Sequence, residues 1–237
     1  MTINYKAKYI VSNSQTVLKD QVIQIQEGKI SQVIDAKSLP EQSEVEDLGN
    51  VAIVPGFVNA HSHVGLVSVK GLGHSNASAL YDVMWGIEPH LTEDDVYKLS
   101  CLGILDCISS GTTSVNDHYF FSEGVAKACI DTGMRGFIGH TVMTEYGPWT
   151  GEDQLSMAVS FVNNFKDSNG LIHPVMAPHA TDTTNPETIL KMKEIAEENN
   201  IPIHIHLSQT KLEFDYIKEN FGLSPIKHAE SIGLLGN

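Results

Sequence analysis

From Val51 onward, short apolar runs alternate with amphipathic stretches, and this alternation restricts the chain to a few architectures. Five runs read as strands: Val51 to Ala60, Thr113 to Val115 with a continuation toward His118, Gly136 to Val142, Pro174 to Ala177, and Pro202 to Leu207. Two of the intervening helices are marked at their ends. Thr92 is an N-cap with Asp95 three residues on, and Val96, Leu99, Leu102 and Leu105 recur at helical spacing as the expected buried stripe. Gly111 stops that segment. Asn185 caps the second helix, with Pro186 at its first position and Ile189, Met192, Ile195 and Ala196 on its apolar face. Asn199-Asn200 and Pro202 end it. Strand followed by helix, repeated, predicts a parallel sheet, either a (β/α)₈ barrel or a doubly wound fold. A barrel takes about 250 residues, roughly 30 per unit. By that measure residues 51–237 accommodate about five of eight strands and part of a sixth unit. Five strands cannot close a barrel, so the sheet is either open or incomplete within these residues.

Residues 1–50 read as a separate small β unit. Val22, Ile23 and Ile25 lead into Glu27-Gly28, a hairpin turn signal, and Ile30, Val33 and Ile34 follow. The acidic stretch from Ser38 to Glu46 reads as a loop. The expected organisation is therefore a β segment over 1–50 and an α/β domain over 51–237.

Composition narrows the partners. A net charge of −14 disfavours a nucleic-acid duplex and an anionic membrane surface, both of which need a basic face. The N-terminal residues 1–9 lack the apolar core of a signal peptide, and no apolar run is long enough to span a bilayer. Cys101, Cys107 and Cys129 form no CxxC pair; two of them sit in a helical pattern and read as buried thiols of a reducing compartment, so the expected location is cytoplasmic.

The histidines carry the chemistry. His61 and His63 flank Ser62 at the end of the first barrel-type strand, where alternate residues point the same way and both imidazoles can face one ion. His204 and His206 repeat that spacing at the end of the fifth. His118 and His179 end the second and fourth. In parallel α/β folds those strand ends form the active face. An isolated histidine is more often a satisfied polar side chain, but this placement favours a metal site. Imidazole donors suit one divalent ion, Zn²⁺ foremost, with Fe, Mn or Ni as substitutes. Such an ion activates water at neutral pH.

The run Val54-Pro55-Gly56-Phe57-Val58-Asn59-Ala60-His61-Ser62-His63 resembles the first-strand motif of the amidohydrolase superfamily. Gly111-Thr112-Thr113-Ser114-Val115, Ala177-Pro178-His179-Ala180 and Pro202-Ile203-His204-Ile205-His206-Leu207 resemble one branch of it. That branch holds methylthioadenosine/S-adenosylhomocysteine deaminase, guanine deaminase and the triazine chlorohydrolases. The resemblance implies a (β/α)₈ TIM-type barrel with a small N-terminal β-sandwich segment. It implies a metal-dependent hydrolase, acting on C–N bonds other than peptide bonds, that deaminates a purine-like heterocycle. His61, His63 and His206 match its metal ligands, His179 a catalytic histidine that contacts substrate, and Glu88 a glutamate that binds ribose hydroxyls. Glu88 reads equally well as a solvated loop carboxylate. His118 lines the pocket by position only, and His204 is expected to face away from the metal or to support it. The resemblance also allows a homo-oligomer.

Two positions depart from the pattern. Gln209 stands where this branch has a catalytic glutamate, and an amide cannot act as a general acid at neutral pH. His140 stands where methylthioadenosine deaminases have a substrate-binding arginine, and so becomes a candidate substrate contact. The family's sixth-strand histidine and eighth-strand aspartate have no counterpart up to Asn237, and the sixth strand is expected to begin near Gly236-Asn237. Residues 1–237 alone are therefore expected to be inactive. The alternatives are a non-catalytic remnant or binding protein, and a ring hydrolase of the chlorohydrolase type, for which no proton need reach an amine.

Overall fold

The computed structural model describes residues 2–72, 77–151, 153–167 and 170–235. The expected start of a sixth strand, Gly236-Asn237, lies outside them. Two compact units emerge, Met1–Gly56 and Phe57–Asn237.

In the first unit, β1 (Thr2–Asn13) pairs antiparallel with β2 (Thr16–Gln26), and β2 with β3 (Lys29–Asp35). Glu27 and Gly28 both take positive φ, as a tight hairpin turn on twisted strands requires. The short strands β4 (Glu46–Asp47) and β5 (Ala52–Ile53) run parallel to β1 on its other edge. The described residues form one sheet here, a single layer. The expected strand from Val51 to Ala60 is thus two strands: Pro55-Gly56 interrupts it, and its first part belongs to this sheet.

The second unit holds a parallel sheet in the order β10-β8-β7-β6, with β9 also on β8. The strands are β6 (Phe57–Ser62), β7 (Thr112–Tyr119), β8 (Arg135–Val142), β9 (Ile172–Pro174) and β10 (Ala177–Pro178). The helices are α1 (Ala77–Ile87), α2 (Glu93–Ser109), α3 (Ser122–Thr132), α4 (Gln154–Phe165), α5 (Pro186–Asn199), α6 (Lys211–Phe221) and α7 (Pro225–Ser231). This is a half-barrel of α/β units. The run from Pro202 to Leu207 forms no regular strand. It joins through isolated bridges, Met176 to Ile203 and Ala180 to His206, with His204 and His206 donating backbone N–H groups to the carbonyls of Met176 and His179.

Packing explains the element choices. Ser114, Val115, Asp117 and His118 of β7 are all buried, as expected for a parallel strand covered on both faces. Val115, Ile138, Met134, Phe161 and Ile172 form one core cluster, and Met176, Met192, Val142 and Val162 another. The capping box at Thr92 and Asp95 is present, as is the Asn185 cap with Pro186. The buried stripe of α2 differs from the expected one. Val96, Ser100, Gly103 and Ile104 face inward, while Leu102 and Leu105 are exposed. The reason is close approach: Gly103 lies against the backbone of Val64, and a leucine face could not come so near. Among the described residues, no helix is long and apolar enough to cross a membrane.

Candidate functional site

The C-terminal ends of the parallel strands converge. His61 and His63 come from the end of β6, His118 from β7, and His206 from the segment after Pro202; their ligand nitrogens all lie within 4.8 Å of one another. His63 Nδ1 donates to the carbonyl oxygen of His118 at 2.7 Å. That bond fixes the tautomer and leaves the Nε2 lone pair pointing onward, 3.0 Å from His206 Nε2. His118 Nδ1 meets Thr141 Oγ1 at 2.9 Å. Among the described residues, His118 Nε2 and His206 Nδ1 are buried with no hydrogen-bond partner. Converging imidazole nitrogens, some orphaned and one held by a backbone carbonyl, fit a divalent cation better than a hydrogen-bonded core. His204 lies outside this group, with its Nε2 2.7 Å from His61 Nδ1.

Burial keeps these rings neutral. It pulls His63 down to about 4, His204 to about 4, His179 to about 3 and His206 to about 2, and His118 well below its ordinary value. An imidazole must be unprotonated to ligate, so the cluster is in its metal-binding form at neutral pH.

A cavity of about 120 Å³ opens beside the cluster, lined by His63, His118, His179 and His206 together with Trp85, Glu88 and Gln209. Glu88 is buried, not a solvated carboxylate as one reading allowed. Tyr119 donates to its Oε1 at 2.8 Å, Oε2 has no partner among the described residues, and burial raises its pKa. His179 Nδ1 is 2.7 Å from Thr183 Oγ1. His140 is not on the cavity wall. Strand alternation on β8 turns Thr141 toward the cavity and His140 toward the helices, where it contacts Ser122 at 3.3 Å and Gln154 at 3.1 Å.

Sequence reasoning missed several residues here. Tyr81 and Trp85 pack with ring centroids 4.5 Å apart and planes tilted by 38°, and line the cavity with Glu88. Their spacing of four and three residues puts all three on one helical face, a signal the sequence does contain. Asp117 is fully buried, accepting from the backbone N–H of Val64 at 2.6 Å and from Ser62 Oγ at 3.1 Å. Burial pushes it up to about 7. It pins the turn that follows His63.

Residues 52–237 match the model of the amidohydrolase family. The chain belongs to that family. Among curated amidohydrolase relatives, the 5-methylthioadenosine/S-adenosylhomocysteine deaminase of Aquifex aeolicus is 35% identical over 221 residues, covering 90% of this chain and 50% of that protein. The 5′-deoxyadenosine deaminase of Methanocaldococcus jannaschii is 33% identical over 219 residues, covering 91% and 52%. This amidohydrolase chain thus spans about half the length of the curated relatives it matches. Among solved structures, guanine deaminase from C. acetobutylicum with bound guanine superposes with a TM-score of 0.89 at 21% identity, covering 100% of this chain and 61% of that one. An adenosine deaminase from Xanthomonas campestris with bound zinc gives 0.86 at 23% identity, covering 99% and 55%. These likenesses establish the fold as part of a TIM-type amidohydrolase barrel.

Proposed function

We infer that this chain supplies the metal ligands and the ring-binding wall of a zinc-dependent hydrolase that deaminates a purine-like heterocycle. The observation that carries the reading is four converging imidazole donors opening directly onto an aromatic cavity with Glu88 and Gln209 on its wall. The names of the curated relatives, deaminases of adenosine-type nucleosides, point the same way. His61, His63, His118 and His206 would hold the ion. Zinc, when bound, supplies a Lewis acid that brings the pKa of water to about 7.

The chain's own residues then have separable tasks. Trp85 presents an aromatic face to a planar ring. Glu88, steadied by Tyr119, offers an unpartnered carboxyl oxygen to sugar hydroxyls. His179, neutral and held at Nδ1 by Thr183, leaves Nε2 to hydrogen-bond a ring substituent. Gln209 can hold a ring nitrogen with its amide but cannot deliver a proton to it. That last point favours a second reading, hydrolysis of a ring substituent such as chloride that departs without protonation.

The test is zinc titration of the chain, followed by binding of adenosine, guanine and a chlorinated ring analogue of each. One equivalent of zinc with adenosine or guanine binding is the expected result. Binding of the chlorinated analogues without binding of the amines would favour the second reading. Failure to bind zinc would overturn both.

A further inference from the structure

Position 213 lies three residues after the N-cap Thr210 of α6, where a glutamate ordinarily returns to the N-cap's own backbone N–H. Glu213 does something else. Its carboxylate is 1% exposed and gathers three donors from two separate loops. Gln209 N–H donates to Oε2 at 2.7 Å, Ser208 N–H to Oε1 at 3.2 Å, and Thr181 Oγ1 to Oε1 at 2.7 Å.

The loops it joins are the ones that carry the candidate site. Thr181 follows His179 by two residues; Ser208 and Gln209 follow His206. The backbone of Ser208 takes φ 58, a left-handed conformation that a serine holds only when its surroundings enforce it. Gln209, next in the chain, lines the cavity. A buried carboxylate with three charge-assisted hydrogen bonds is a rigid fixture, because each lost donor leaves a buried charge poorly solvated.

We propose that Glu213 is a positioning residue that staples the loop after His179 to the loop after His206, and so sets Gln209 against the ring in the cavity. This rests on the reading of the cavity as a purine-nucleoside site. Its structural half can be tested apart from that reading.

Glu213→Gln keeps the size of the side chain but replaces one acceptor oxygen with an amino group facing N–H donors. Amide exchange at Ser208 and Gln209 should accelerate by about tenfold or more, with the helix interiors of α4 and α5 unchanged. In the zinc-loaded chain, adenosine affinity should fall by about ten- to hundredfold, the loss of one charged hydrogen bond. In a Gln209→Ala background the same substitution should leave adenosine affinity unchanged, because the residue it positions is gone. Thr181→Val removes a single donor and leaves α6 capped; it should weaken adenosine in the same Gln209-dependent way and guards against misfolding of the first variant. Equal losses in both backgrounds, or unchanged exchange at 208–209, would overturn the proposal. If the wild-type chain binds no adenosine, the purine reading fails, and the exchange measurement alone decides whether the staple exists.

Discussion

Replacing Gly103 with alanine should destabilise the chain, although alanine is the better helix former. Two terms oppose each other. Within α2, alanine is favoured over glycine by about 1 kcal/mol. Against that, a Cβ at position 103 would lie 2.2 Å from the carbonyl oxygen of Val64 and 3.0 Å from its carbon. The obstacle is backbone, and it cannot swing aside. Val64 is itself held by its N–H bond to the buried Asp117 at 2.6 Å. Either α2 withdraws, opening the core at Val96 and Ile104, or the turn after His63 moves. Overpacking costs about 1–3 kcal/mol, and a backbone obstacle places this case in the upper part of that range; less the helix gain of about 1 kcal/mol, the expected net loss is about 1–2 kcal/mol. In a chain of this size that lowers Tm by about 2–8 °C. Gly86→Ala in α1 is the matched control, because among the described residues nothing lies within 4 Å of its Cβ position; it should stabilise by up to about 1 kcal/mol. Urea unfolding followed by circular dichroism reads both. A Gly103→Ala variant as stable as the wild type would refute the reasoning, as would equal losses for the two variants.

Three further outcomes are expected. His63→Ala should weaken zinc binding by about 100-fold in competition with a chelator, and a change below threefold would remove His63 from the ligand set. Glu88→Gln should weaken adenosine about tenfold yet leave free adenine unaffected, since only the sugar addresses the carboxyl oxygen; equal effects on both would exclude that contact. The zinc-free chain should lose stability on acidification. Above pH 6.5 a histidine is neutral folded or unfolded; as pH falls through 6.5 the unfolded chain takes protons that His179, held at about 3, refuses until much lower pH. At pH 5 that difference is about 2 kcal/mol for this one ring, and His179→Gln should flatten the urea midpoint between pH 7 and 5. Asp117, raised to about 7, works in the opposite sense, losing stability as pH climbs from 4 to 7.

The parts of the molecule legible in the sequence are those with local causes. Thr92 with Asp95 and Asn185 with Pro186 satisfy helix ends by contacts within a few residues, so their pattern is visible in the string. His61, His63, His118 and His206 could be placed because strand ends in parallel sheets share one face. What the string hides is set by distant partners. Leu102 and Leu105 carry the hydrophobic signal of α2, yet Ser100 and Gly103 are buried, because Val64 and Gly65 approach too closely for larger groups. Asp117 and Glu213 look like ordinary surface acids until the fold wraps loop amides around them. His140 differs from Thr141 by one step along β8, and one step reverses the direction of a side chain.

The neutrality of the histidine cluster has a thermodynamic corollary. In most histidine sites a metal must displace protons from part of the population, so capture is coupled to the proton reservoir of the solvent. Here the fold has already expelled those protons, with His63 and His206 at about 4 and 2. Zinc uptake near pH 7, on the proposed reading, would therefore draw almost no protons from the imidazoles, and those released would come from metal-bound water. The difference in its calorimetric heat between phosphate, with a small ionisation enthalpy, and Tris, with a large one, should correspond to no more than about one proton per zinc, that of metal-bound water. Mild acidification, which empties solvent-exposed histidine sites, would leave this one competing undiminished for scarce metal as long as the fold holds.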